Sequence, residues 1–374
     1  MDTTHPKYQK NAKINWYRTK VDKKVMSELM KQDNWHGFVQ VGLQLGLFIA
    51  TGLLAYAAFL NINASTWMWA FPLTLLALFV HGSQGPFLGL VAIHELCHKT
   101  PFRSKFWNEF FLKVYSFISW NDPVWFRPSH VKHHQVTVHK DYDGEVVLPQ
   151  TFNFRNWQFW LGMLAGDPRS PYYVIKGTWR RARGIVDGDW NNFVLPEEDQ
   201  KLRREYANWA RFQLIGHALL AAIFIATGNW FLILVFNFGT LYCGWLGFLC
   251  GAPQHYGMAP DTPDFRLCCR TYTCSWLPGF LYWNMQYHIE HHMYPGVPFY
   301  NLPKLRKALE HDLPPAPHGL WATWKEMLYI HRMQKTNPDF IFVPRLPGSS
   351  GDCVDDSVLQ DEAAATLESA PATA

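Results

Sequence analysis

Two stretches of this chain, Asn34–His94 and Phe212–Pro260, contain no Asp, Glu, Lys or Arg. A soluble core rarely runs so far without a charge, and a membrane helix needs about 20 predominantly apolar residues. Each stretch is therefore long enough to cross a bilayer twice. Spans are expected at about 38–60, 67–93, 212–227 and 230–250. The first pair is joined at Asn61–Thr66 and the second at Gly228-Asn229. Only a helix satisfies its own backbone within lipid, short of a closed barrel. The expected fold is all-α, an integral membrane protein of four transmembrane helices in two hairpins. Pro72, Gly82, Gly85 and Pro86 mark where the second span should be irregular.

The polar remainder sets the domain limits and orientation. Residues 1–33 form a basic leader with a short amphipathic piece at Val21–Lys31; no apolar core precedes Phe38, which argues against a cleaved signal peptide. Residues 34–345 read as one membrane domain, and 346–374 as a disordered tail with no aromatic residue. Phe106–Ile118 and Phe152–Leu164 are aromatic but carry charges and are too short to span, so both are expected to lie in the interface. Trp179-Arg-Arg-Ala-Arg183 reads either as a headgroup contact or as a solvated charge cluster. Lys and Arg crowd the leader, the middle region and the C-terminal region but are missing from both hairpin tips. The positive-inside rule then puts both termini and both large loops in the cytosol. A multi-pass protein is expected, in the endoplasmic reticulum if eukaryotic and the inner membrane if bacterial. The sequon at Asn63 lies too near the bilayer for modification. Seven cysteines without paired spacing argue against structural disulfides. Cys269 and Cys274 open an iron–sulfur spacing that no later cysteine completes. No nucleic-acid partner is expected.

Histidine is distributed unevenly. His94-Glu-Leu-Cys-His98, His130-Val-Lys-His133-His134 and His288-Ile-Glu-His291-His292 place eight histidines in fifteen positions, where a usage of 17 in 374 predicts fewer than one. Spacings of three and four put the rings on one side of a helix. Each cluster follows an element leading out of, or back to, the predicted cytosolic face, so all three can meet there as a histidine-rich cap. Converging imidazoles select a transition metal over Mg²⁺ or Ca²⁺. Eight exceed what one zinc uses, so two metals are the economical reading. His255, just beyond the last span, is a candidate ninth ligand. Glu95, Asp141, Asp143, Glu290 and His139 are candidates to hold the ligating rings in place; Asp141 and Asp143 suit a turn equally well. His81 and His217 are expected to pack or hydrogen-bond.

Two other classes compete. His94-Glu95-Leu96-Cys97-His98 also spells the H-E-x-x-H of zinc proteases, with Asp122 or Asp167 as a third ligand. An intramembrane zinc metalloprotease would leave the other six histidines unused. A metal transporter would place its site near the bilayer midplane, not at one face.

With these residues in view, the chain resembles the membrane fatty acid desaturase and hydroxylase family over roughly residues 35–310. The match lies in His94 and His98, then His130, His133 and His134, then His288, His291 and His292. His255 matches an extra histidine that some members carry. The resemblance implies a non-haem centre of two Fe ions using O₂ to oxidise an unactivated C–H bond of a lipid-like substrate, foremost fatty acyl desaturation. Hydroxylation of a fatty acid, alkane or other hydrophobic metabolite is the alternative. An aromatic-lined apolar tunnel is expected to hold the substrate. The family's partners are the lipid bilayer, a hydrophobic acyl-type substrate and a separate electron donor, ferredoxin or cytochrome b5. The chain lacks the haem-binding His-Pro-Gly-Gly segment and a complete iron–sulfur pattern, so the donor should be a separate protein.

Overall fold

A computed structural model describes Tyr8 and residues 12–348. The first residues of the leader, Lys7 and Lys10 among them, and the tail from residue 349 onward lie outside these. The described residues are helical, with two isolated bridges, Tyr17–Asp264 and Thr273–His318, in place of any strand.

The first charge-free stretch builds a long hairpin. After the short helix α1 (Lys23–Leu29), Asp33 accepts the Trp35 amide and starts α2 (Asn34–Leu60). Its partner is α3 (Trp67–Gly82), which turns once and continues through a π-helical segment, Phe87–Ala92, into α4 (Ile93–Cys97). The irregularity falls at Gly82–Pro86, as the sequence predicts; Pro72 lies inside α3. The buried face of α2 includes Gln40, Gln44, Thr51, Gly52 and Ala55, while Leu43, Leu47, Leu53 and Leu54 point outward. Polar and small residues inside with leucines outside is the reverse of a water-soluble helix, and it suits lipid.

The middle region supplies shorter helices. These are α5 (Lys105–Ile118), α6 (Pro123–Val136), α7 (Trp157–Ala165), α8 (Ser170–Ala182) and α9 (Asp189–Val194). α5 and α7 fall at the two expected interfacial stretches, although residues 152–156 are not helical. α5 buries Asn108, Leu112, Tyr115 and Ser116 and leaves Phe106 and Phe110 exposed. Two arginines of the 179–183 cluster make ion pairs, Arg180 with Asp187 at 2.7 Å and Arg181 with Asp122 at 3.7 Å.

The second charge-free stretch departs from expectation. α10 (Gln200–Ala226) starts twelve residues before Phe212, so the helix carries a polar N-terminal half. The segment predicted as a fourth span, 230–250, is broken: a π-helical turn at Ile233–Asn237, an irregular stretch, then α11 (Trp245–Gly251). Three helices, Asn34–Leu60, Trp67–Cys97 and Gln200–Ala226, are long and apolar enough to cross a membrane. Close packing accompanies the break. A Cβ on Gly239 would collide with the Val235 carbonyl oxygen, and one on Gly85 would lie 2.6 Å from that of Thr240. Freed carbonyls find side-chain donors: Trp120 Nε1 donates to Asn237 O (2.6 Å) and His81 Nε2 to Val235 O (3.0 Å). Buried broken backbone needs such partners within the protein.

The remaining helices, at the expected cap, are α12 (Phe265–Cys268), α13 (Trp276–Leu281), α14 (His288–Met293), α15 (Leu302–Leu309) and α16 (Gly319–Thr336). Gln44 joins cap to membrane helix, its side-chain oxygen accepting from Tyr115 Oη (3.0 Å) and Trp283 Nε1 (2.9 Å). The main core, with Leu88, Ile93, Leu96, Phe265, Ile289 and Leu305, lies around the helices that carry the histidines.

Candidate metal centre

Three short helices aim the histidine clusters at one volume. The π-helical segment before α4 is held to the end of α5 by Asn121, whose amide donates to Gly89 O at 2.8 Å. α6 is capped by Asp122, which accepts from Val124 N (2.9 Å) and Trp125 N (3.3 Å), with Pro123 preorganised for the first turn. α14 is buried along its whole length.

The nitrogens fall into two adjoining groups. His94, His98, His130, His134 and His291 form one; His255, His288 and His292, together with Cys269, form the other, the potential ligand atoms of each lying within 4.8 Å of one another. In the first, His94 Nε2 faces His291 Nε2 at 2.7 Å and His130 Nε2 at 3.2 Å, and His130 faces His134 at 3.0 Å. In the second, His288 Nε2 faces His255 Nε2 at 3.0 Å and His292 Nε2 at 3.1 Å. The rings of His134 and His292 stack with centroids 4.2 Å apart, bringing the groups together. His133 lies beside the second group, its ring 5.1 Å from His292 and 5.6 Å from His255.

The outer nitrogens settle which atoms face inward. His130 Nδ1 donates to Glu145 (2.7 Å) and His133 Nδ1 to Asp143 (2.7 Å). His255 Nδ1 donates to the Cys268 carbonyl (2.9 Å), and His292 Nδ1 lies 3.2 Å from Thr137 Oγ1. A ring protonated at Nδ1 presents a bare lone pair at Nε2. The bare Nε2 atoms of His130 and His255 each lie about 3 Å from further ring nitrogens. The donor set therefore fits a cation at each group. Burial, reinforced by neighbouring rings, holds His134, His288, His291 and His292 well below the usual imidazole pKa, and pulls His255 down to about 3. They are neutral, the ligating form. His133 differs: burial pulls it down, but Asp143 more than offsets this and raises it.

The carboxylates divide. Asp143 meets a ring, and Glu95 lies 3.4 Å from His291 Nδ1. Glu290 does not touch an imidazole; it accepts from Thr271 Oγ1 (2.6 Å) and from Arg306 (3.1 Å). Asp141 is exposed on a turn at φ 65°, so the turn role applies. His139 faces away, with Nδ1 on the Thr137 carbonyl at 3.0 Å and its ring edge-on to Trp16. Two residues of the site escaped sequence reasoning, Glu145 and Cys269. His81 and His217 bond backbone carbonyls, of Val235 and Phe117, as packing residues do. Neither Asp122 nor Asp167 approaches His94 and His98: Asp122 caps α6, and Asp167 pairs with Arg169 at 2.8 Å. The protease reading needs those two histidines apart from the other clusters, and they are not.

Residues 65–324 match the family model for fatty acid desaturases. The chain belongs to the fatty acid desaturase family. This is a family of oxidoreductases that act on fatty-acid-like substrates, and its members use a diiron centre. Comparison with curated proteins gives no match. In this desaturase-family chain, a cavity of about 610 Å³ reaches the histidines and is lined by Lys13, Trp16, Arg18, His98, His134 and His292.

Proposed function

We propose that this chain is an O₂-dependent membrane oxidoreductase with two iron ions, and that it desaturates a fatty acyl chain. The observation that carries the reading is the pair of adjoining imidazole groups, with the Nε2 atoms of His130, His133 and His255 turned inward by outer hydrogen bonds. His94, His98, His130, His134 and His291 would hold one iron; His133, His255, His288 and His292 would hold the other. Bound iron supplies the one-electron chemistry with O₂ by which an unactivated C–H bond is broken.

The chain's own residues supply the rest. Glu145 and Asp143 fix the tautomers of His130 and His133 and add basicity to their Nε2 atoms. Glu95 stands beside His291, 3.4 Å from its Nδ1, without a hydrogen bond to it. Burial keeps water from His288, His291 and His292, which limits side reactions there. Substrate selection requires the acyl chain to be held with one carbon near the centre, and the cavity beside His98, His134 and His292 offers an approach from the cap side. Electrons come from a separate carrier, a ferredoxin or cytochrome b5, that docks on the Lys- and Arg-rich cap. We place the cap and both termini in the cytosol and read 34–345 as one catalytic unit. In this reading the broken segment 230–251 re-crosses the membrane as a discontinuous fourth span.

The test is product analysis with iron-loaded protein in lipid, supplied with reductant, electron carrier and a long-chain acyl substrate as coenzyme A ester and as phospholipid. An O₂-dependent alkene is expected, and an alcohol would move the assignment to hydroxylation. His291→Ala should lose the product altogether; unchanged turnover in that variant would sink the assignment of the centre.

A further inference from the structure

We infer that Arg270 is a positioning residue for His255: it holds the backbone on both sides of that histidine so that the ring can serve the second metal. This rests on the two-metal reading above. His133 lies on α6, and His288 and His292 lie on α14, so regular helices aim those three rings. His255 has no such support. It follows α11 through a single 3₁₀ turn, Ala252–Gln254, and its own backbone is non-helical at φ −129° and ψ −9°.

The last carbonyls of a helix have no partner within it. Here one arginine supplies donors to the carbonyls that flank His255. Arg270 Nη1 donates to Pro253 O (2.5 Å) and to Tyr256 O (3.0 Å), and the Arg270 backbone N–H donates to Gln254 O (2.8 Å). Two residues earlier in the same segment, the Cys268 carbonyl accepts from His255 Nδ1 at 2.9 Å, and His255 Nε2 then faces His288 Nε2 at 3.0 Å. Residues 268–270 thus fix both the backbone and the ring of His255.

The guanidinium is itself held. It is buried, its Nε donates to Glu326 on α16 at 2.5 Å, and its central carbon lies 5.5 Å from the centre of the Phe342 ring. A planar fork with donors in several directions can bond two carbonyls and a carboxylate at once. Lysine, a single ammonium on a flexible stem, cannot reproduce that set. The hydrogen bonds of Arg270 go to carbonyls and to Glu326, and none goes to a ring nitrogen. Its effect on the metal therefore passes through His255.

A double-mutant cycle on the full-length protein tests this without redox chemistry. Protein stripped of metal is titrated with zinc against a coloured chelator. Loss of a group that orients a ligating histidine typically weakens metal binding by about 10–100-fold. Arg270→Ala should weaken one of two zincs to that extent and leave the other as in the parent. In a His255→Ala background the same substitution should do nothing further, because a residue that acts through His255 has nothing left to hold. Two zincs bound as in the parent by Arg270→Ala would overturn the inference and leave the two-metal centre standing. A full effect of Arg270→Ala in the absence of His255 would overturn it as well, since the arginine would then act on the fold at large. Should Arg270→Ala fail to fold, Arg270→Lys, which keeps a charge beside Glu326 without the fork, takes its place in the cycle and is judged by the same outcomes. A parent protein that binds fewer than two zincs would overturn the two-metal reading and this inference with it.

Discussion

Glu145 lies on a loop and stands beyond the first contact with any metal, so Glu145→Gln isolates what one remote charge contributes. Its Oε1 accepts from His130 Nδ1 at 2.7 Å and its Oε2 from Ser129 Oγ at 2.8 Å. Burial would raise this carboxylate, but the His130 ring and its hydrogen bond hold it down at about 2. The negative charge is thus present throughout the useful pH range. Glutamine keeps the shape: its carbonyl accepts from His130, and its amide meets a hydroxyl that also accepts from Trp190 Nε1 (3.0 Å). Loss of the Ser129 donation should cost the metal-free fold about 1 kcal/mol, the net worth of one hydrogen bond. Loss of the charge behind a ligating imidazole typically weakens metal binding 10–100-fold, which is ~1.4–2.7 kcal/mol. Competition for zinc between the protein and a coloured chelator measures that directly, with thermal unfolding of the metal-free forms as the control. A 10–100-fold loss at one of two sites with little change in melting is expected. An affinity within twofold of the parent would refute the idea that Glu145 acts through His130.

Burial raises Asp122 to about 7, Arg181 offsetting only part of this. Between about pH 4 and 7 the folded protein keeps a proton that the unfolded chain has lost, so this group's contribution to stability falls as pH rises, by roughly 1.4 kcal/mol per pH unit. Asp122→Asn, which retains an acceptor for the α6 cap, should match the parent near pH 4 and melt progressively higher than it up to pH 7; a constant gap would contradict the burial argument. Gly239→Ala should destabilise by ~1–3 kcal/mol, because its Cβ would strike the Val235 carbonyl and lie 2.5 Å from His81 Nε2; an unchanged melting temperature would show that the break at 238–244 is looser than described.

Much of this was legible in the sequence, for definite reasons. Absence of charge identifies α2, α3 and the second half of α10 because large apolar side chains dominate their exposed faces. The same rule fails at 230–250, where hydropathy does not register Gly239 or the side chains of Trp120 and His81 that accept the break. The beginning of α10 was missed for the opposite reason: its first three turns carry Lys201, Arg203 and Arg204 outside the apolar run. The eight clustered histidines could be read because spacings of three and four fix a common helical face. Asp143 and Asp141 could not be separated, since a loop has no period; a positive φ turns Asp141 to solvent, while Asp143 is held by the amides of Val138 (2.8 Å) and Glu145 (2.9 Å). Glu145 and Cys269 lie outside any helical repeat, and only the tertiary fold brings them to the rings.

The central claim is two metal positions with separate ligand sets, and metal counting in paired variants tests it most directly. Protein purified with iron should hold about two irons per chain, His94→Ala and His288→Ala should each hold about one, and the double variant should hold almost none. One zinc and no iron in the parent protein, or loss of all metal with either single substitution, would contradict it.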